Sequence, residues 1–242
     1  MALPPAPQMR ARVGLPGLDP CWGIADSRLQ IAAPPALSHL LSAICNLPSY
    51  RSAMPSLLTI AVLAGGASAR MGLDKAALVI DGRAMIDHVL AAAAGFPVVV
   101  VGRDHPGVPS IPDRSPGRRG PLAGLVTALE ATAAPVLLLG ADQPWIRSAT
   151  IRAMAELDDP LPAAPTDSGV RQVLCAVYPP SILPEALRLL EAGRGPQALL
   201  DLGCRDIAPA YWREWGEDGR SWFSVNSPQA LADGLLRYGA PA

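Results

Sequence analysis

The chain has a single lysine. The other nineteen of its 20 basic residues are arginines, and 21 acids bring the net charge to −1, so no broad basic field exists to hold nucleic acid or an anionic membrane. Histidine is scarce: His39, His88 and His105 lack ligand spacing, and His88 falls inside a helical pattern, where a packed or exposed ring is the simpler reading. The four cysteines (Cys21, Cys45, Cys175, Cys204) form no C-x-x-C pair, which disfavours a zinc site or a disulfide framework and points to a reducing cytoplasm. Long apolar runs are missing too. Val89 to Val101 is broken by Gly95 and Pro97 and falls short of the roughly 18–20 residues a membrane helix needs. Several nucleotide and hydrolase signatures are also absent: Gly66 and Gly72 are spaced too widely for a Walker A loop, no G-x-G-x-x-G follows the first strand pattern, and no G-x-S-x-G elbow occurs.

The stretch around which the rest is arranged begins at Leu58. Leu58 to Leu63 is a short apolar run with β-branched residues, and it stops at Ala64-Gly65-Gly66, as a buried parallel strand opening into a loop would. Two adjacent glycines let backbone N–H groups approach a bulky anion, and Arg70 and Lys75 bring positive charge to the same place. Where composition has drifted towards arginine, a lysine kept in a glycine loop suggests a compact ammonium bridging phosphate oxygens.

Residues 1–55 hold nine of the 27 prolines and only a brief helical hint, and are expected to form a disordered or non-native extension rather than a signal peptide. The functional chain is expected to begin near Met54, with one α/β domain over residues 56–238. Within it, strand patterns at Leu58–Leu63, Pro97–Val101 and Val136–Leu139 alternate with helical patterns at Met85–Ala94 and Leu122–Ala131. In an open parallel sheet, ligands bind beyond the carboxyl ends of the strands, so the loops after the first and third strands should face one crevice. Asp142, directly after the third strand and ahead of a helix cap expected at Ser148, is placed either to coordinate Mg²⁺ or to cap. Asp113 reads as a turn acid with an anion-binding arginine run (Arg114, Arg118, Arg119) beside it, or as an ordinary loop. Tyr211, Trp212, Trp215 and Trp222 read more readily as core than as a stacking platform.

Four motifs together carry a family likeness: LAGGASARMGLDKA (Leu63 to Ala76), RGPLAG (Arg119 to Gly124), ADQPW (Ala141 to Trp145) and VNSPQAL (Val225 to Leu231). Over about residues 57 to 236 the chain resembles the molybdenum cofactor guanylyltransferases of the nucleotidyltransferase superfamily. RQVLCAVY (Arg171 to Tyr178) is similar to a strand that lies beside the substrate in that family. The resemblance implies a three-layer, Rossmann-like α/β nucleotidyltransferase fold with a mostly parallel central sheet. It implies transfer of GMP from GTP to molybdopterin with release of pyrophosphate and use of Mg²⁺. By the same resemblance, Leu63, Ala64, Gly65 and Gly66 would hold guanine and ribose, Lys75 the α and β phosphates, and Arg70 the departing pyrophosphate. Asp113 would meet the base or ribose and Asp142 the magnesium, while Gln172 and Asn226 would meet the acceptor. A molybdoenzyme or cofactor-insertion protein is the downstream partner it suggests. Cytidylyl transfer, another phosphorylated acceptor, or a nucleotide-binding module without turnover are the competing readings. The chain departs from the family pattern at Ala141, Val101-Gly102, Val173 and Ser224, where cysteine, asparagine, proline and asparagine are common.

Overall fold

The computed structural model describes residues 58–65, 78–113, 120–157 and 159–241. Gly66, Arg70, Lys75, the arginine run and the N-terminal extension lie outside the described residues. In chain order the elements are β1 (Thr59–Leu63), a hairpin of β2 (Val79–Ile80) and β3 (Arg83–Ala84), α1 (Met85–Ala92), β4 (Val98–Val101), β5 (Ser110–Ile111), α2 (Pro121–Thr132), β6 (Val136–Gly140) and α3 (Ser148–Ala155). The second half adds β7 (Ala163–Asp167), β8 (Val170–Arg171), β9 (Ala176–Tyr178), α4 (Leu183–Glu191), α5 (Pro196–Leu202), β10 (Arg205–Ile207), α6 (Pro209–Trp212) and α7 (Pro228–Tyr238).

The central sheet has the order β10-β7-β9-β6-β1-β4-β5, with β8 bonded to β7. Strands β5, β4, β1 and β6 run parallel, as do β7 and β10, and β9 runs against β6 and β7. The period-two alternation of strand side chains divides the core between two faces. Ile60, Val62, Leu137 and Leu139 meet α1 and α3 on one side, while Ala61, Val99, Val136 and Leu138 meet α2 and α4 on the other. The result is the mostly parallel, three-layer, Rossmann-like architecture that the resemblance implies.

Local details differ from the sequence reading for identifiable reasons. Ser148 is the first residue of α3 instead of its cap; Arg147 occupies the cap position, and its backbone N–H donates to Ser221 Oγ at 3.1 Å. RQVLCAVY does not form one strand, because Cys175 adopts φ +118°, which breaks the run between β8 and β9. The face of α4 turned inward carries Ala186, Leu189 and Leu190, with Leu183 and Leu187 half-buried, and a 3₁₀ turn at Pro180–Ile182 precedes the helix. Trp212 and Trp222 are core residues, stacked edge to face at 5.2 Å, whereas Tyr211 is exposed. No helix among the described residues is long and apolar enough to cross a membrane.

The C-terminal segment is tied back to the sheet at two places. Glu217, buried against the first turn of α3, accepts from the backbone N–H groups of Asp218, Gly219 and Ser221 and from the hydroxyls of Thr150 and Ser221. Its negative charge therefore sits where the helix N-terminus favours an anion. Farther on, Phe223 and Tyr238 pack on Trp145 at 5.7 and 5.9 Å, and Trp145 Nε1 donates to the Gly239 carbonyl at 2.8 Å.

Candidate active site

The site begins where the parallel strands stop. Register pairs Ile111 with Val101, Val101 with Leu63, and Leu63 with Gly140, so these residues form one transverse row. Asp113, Gly65 and Asp142 each lie two residues beyond it, on the same edge of the sheet. Three strand spacings separate β5 from β6, which sets the Asp113 and Asp142 ends about 14 Å apart across the edge. Backbone hydrogen bonds continue past the strands: Ala64 N–H donates to the Val101 carbonyl at 2.9 Å, Ala141 N–H to Leu63 at 3.0 Å and Gly102 N–H to Ile111 at 2.9 Å.

The turn after β1 is shaped by its neighbour. Gly102 has φ +97°, and a Cβ placed on it would lie 2.7 Å from Gly65 Cα and 2.8 Å from Gly65 N. A Cβ on Gly65 would meet Gly102 Cα at 2.9 Å. Two backbones thus touch where no side chain fits, which gives a physical reason for glycine at both positions. Gly102→Ala adds both a steric conflict with backbone and an unfavourable φ, about 1–3 kcal/mol of local strain that displacement of the β1 turn would relieve. The expected result is a KM for the nucleotide raised about tenfold, measured in a steady-state turnover assay; an unchanged KM would show that the turn does not hold nucleotide.

Asp142 is constrained from both sides. Behind it, a Cβ on Gly140 would stand 2.5 Å from Asp142 Oδ1, so this glycine makes room for the carboxylate. The buried Gln143 accepts from Gly140 N–H at 2.7 Å and donates to the Leu174 carbonyl at 3.0 Å, fastening the loop to the turn that precedes β9. In front, Ser224 Oγ donates to Asp142 Oδ2 at 2.6 Å, Val225 N–H donates to the Asp142 carbonyl at 2.8 Å, and Asn226 Oδ1 lies 3.3 Å from Ser224 Oγ. Asp142 is half-buried, and Asn226 is exposed beside it. This group of carboxylate, hydroxyl and amide oxygens is the hard-donor chemistry magnesium takes, and magnesium is usually held by one or two carboxylates completed by substrate phosphates and water. Among the described residues no group of three or more His, Cys, Asp or Glu could hold a metal ion.

The remaining sequence candidates fall as follows. Leu63 ends β1 and Ala64 continues its backbone ladder by one bond. Gln172, half-buried between β8 and β9, donates from its backbone to Pro165 at 2.8 Å and from its side chain to Val170 at 3.0 Å. Gln143 and Ser224 are the site residues that sequence reasoning passed over. Gln143 stood inside the ADQPW motif, and Ser224 was visible only as a departure from the family pattern. Both owe their place to contacts across 31 and 82 residues of chain. Beyond β7, a cavity of about 620 Å³ opens among Asp167, Trp212, Arg213 and Arg237. Asp167 lies in register with Ala141, two strand spacings or about 10 Å away along the same edge.

A mostly parallel sheet whose carboxyl edge brings a glycine turn beside a carboxylate is the arrangement in which open α/β proteins bind their ligands. The model of the MobA-like NTP transferase domain matches residues 60–207, and the chain belongs to that family and is a nucleotidyltransferase. It is 31% identical to a molybdenum cofactor guanylyltransferase of Acidiphilium cryptum over 176 residues, 66% of this chain and 87% of that protein. It is 37% identical to a probable molybdenum cofactor guanylyltransferase of Deinococcus radiodurans over 147 residues, 56% of this chain and 75% of that one. The crystal structure of molybdopterin-guanine dinucleotide biosynthesis protein A from Archaeoglobus fulgidus shares the fold, with a TM-score of 0.64 at 23% identity, covering 74% of this chain and 97% of the other.

Proposed function

We propose that this protein transfers GMP from GTP to the terminal phosphate of molybdopterin, releasing pyrophosphate, and that its domain comprises residues 56–238. The observation that carries the reading is the placement of Asp142 and the Gly65 turn just past one strand row, on the edge where a nucleotide binds. The names of the two curated relatives support guanylyl transfer over its alternatives. In this reading an oxygen of the acceptor phosphate attacks the α-phosphorus of GTP, a new P–O bond forms in line, and the bond to the β-phosphate bridging oxygen breaks, its electron pair leaving with pyrophosphate.

Magnesium, when bound, supplies positive charge to the triphosphate. Asp142 would hold it, with the amide oxygen of Asn226 close by. Lys75 and Arg70 would neutralise charge on the α and β phosphates and on the leaving group, a task of positioning and electrostatics with no covalent step on the protein. Gly65 and Asp113 would define the nucleoside end. The acceptor would extend the other way, past Gln172 towards the cavity at Asp167, where its bulk has room. The dispersed cysteines fit a cytoplasmic enzyme.

The test incubates the full chain with GTP, Mg²⁺ and molybdopterin and follows pyrophosphate. Acceptor-dependent release with GTP, exceeding that with CTP by at least about tenfold, is the expected result. Faster turnover with CTP would replace the guanylyl reading with cytidylyl transfer. Nucleotide binding without acceptor-dependent release would leave a module that does not catalyse.

A further inference from the structure

We infer that Ser224 is a positioning residue for the metal: its hydroxyl fixes the carboxylate of Asp142 in the orientation that receives the divalent cation. The inference rests on the reading of Asp142 given above and adds a residue outside the set that the family likeness assigns.

Three features of the molecule lead to it. The first is valence. A serine hydroxyl carries one proton, and at 2.6 Å from Asp142 Oδ2 that proton is committed to the carboxylate, in the length range of a charge-assisted bond. The contact between Ser224 Oγ and Asn226 Oδ1, at 3.3 Å, is the longer and weaker one. Asp142 Oδ2 is thereby held by one short bond from Ser224, while Oδ1 lies on the side where Gly140 makes room.

The second feature is rigidity. Ser224 is held between two anchors. Phe223 packs edge to face on Trp145, and Val225 is buried and donates its N–H to the Asp142 carbonyl. The backbone that carries the hydroxyl is therefore fixed relative to Asp142, which favours one orientation of the carboxylate. The third feature is the alternative cost. The terminal C–C torsion of an aspartate is broad, and an unfastened carboxylate would lose entropy on binding the cation. A hydroxyl that fastens it beforehand shifts that loss from binding to folding. Partners of metal ligands commonly change affinity by 10–100-fold when removed.

The measurement is Mn²⁺ binding to the full chain in the presence of GTP and without acceptor, read as loss of the free-ion signal in electron paramagnetic resonance. Ser224→Ala should weaken Mn²⁺ binding about tenfold, and Ser224→Thr, which keeps the hydroxyl, should recover affinity to within about threefold of the parent. Thermal melting of each variant separates this effect from a folding defect. Asp142→Asn is the control. If Asp142→Asn abolishes binding while Ser224→Ala binds Mn²⁺ as tightly as the parent or more tightly, the positioning role is overturned and the metal reading stands. If Asp142→Asn leaves binding unchanged, the metal reading of Asp142 falls and takes this inference with it.

Discussion

Lys75→Ala is expected to lower kcat by about 10²–10³, the loss of roughly 3–4 kcal/mol that follows removal of one preorganised donor to a developing charge. Only one lysine exists among the basic residues of the chain, and it follows the strand and glycine turn that face the carboxyl edge. An ammonium concentrates its charge on one small atom with three donors and can bridge oxygens of neighbouring phosphates, whereas a guanidinium offers a flat fork. Lys75→Arg is therefore expected to recover less than about tenfold of the lost rate, although net charge is restored. The check is steady-state turnover with saturating GTP and acceptor. If Lys75→Ala turns over like the parent enzyme, the proposed phosphate contact is wrong.

The second large effect is expected at Asp142. Asp142→Asn should lower kcat by about 10³, since the charge stabilisation a metal supplies is worth several kcal/mol and each 1.36 kcal/mol is a factor of ten. The amide oxygen of asparagine still accepts from Ser224 Oγ, and the backbone bond from Val225 is untouched. Folding should therefore survive: a cost under 1 kcal/mol lowers the melting temperature by less than about 4 °C in a chain of this size. A calorimetric scan beside the rate assay distinguishes the outcomes. A variant that melts normally and has lost activity supports a charged role; one that keeps activity shows that Asp142 only caps its loop.

Gly102 and Ser224 illustrate different limits of reading residues along the chain. Both stood out only as departures from a family pattern. In the folded protein Gly102 is the surface on which the Gly65 turn rests, and Ser224 is the donor to Asp142. Trp212 and Trp222 were legible as core on ordinary grounds, since large rings bury more readily than they present a platform. The break in RQVLCAVY was not legible, because a positive φ at a cysteine is imposed by its surroundings and has no local signature. Its neighbour Leu174 supplies the carbonyl that receives Gln143, so this backbone distortion lies against the loop of Asp142.

By itself the sequence determined the alternation of strands and helices and the glycine turn after β1, because periodicity, β-branching and glycine act over a few neighbouring residues. It also indicated Asp142, through a carboxylate placed directly after an apolar run. Only the tertiary structure decided that the carboxyl ends of β5, β1 and β6 share one row, that Gly65 and Gly102 meet, and that a serine 82 residues away holds the Asp142 carboxylate. Register and such distant hydrogen bonds depend on how whole layers pack, and no short window of residues contains that information.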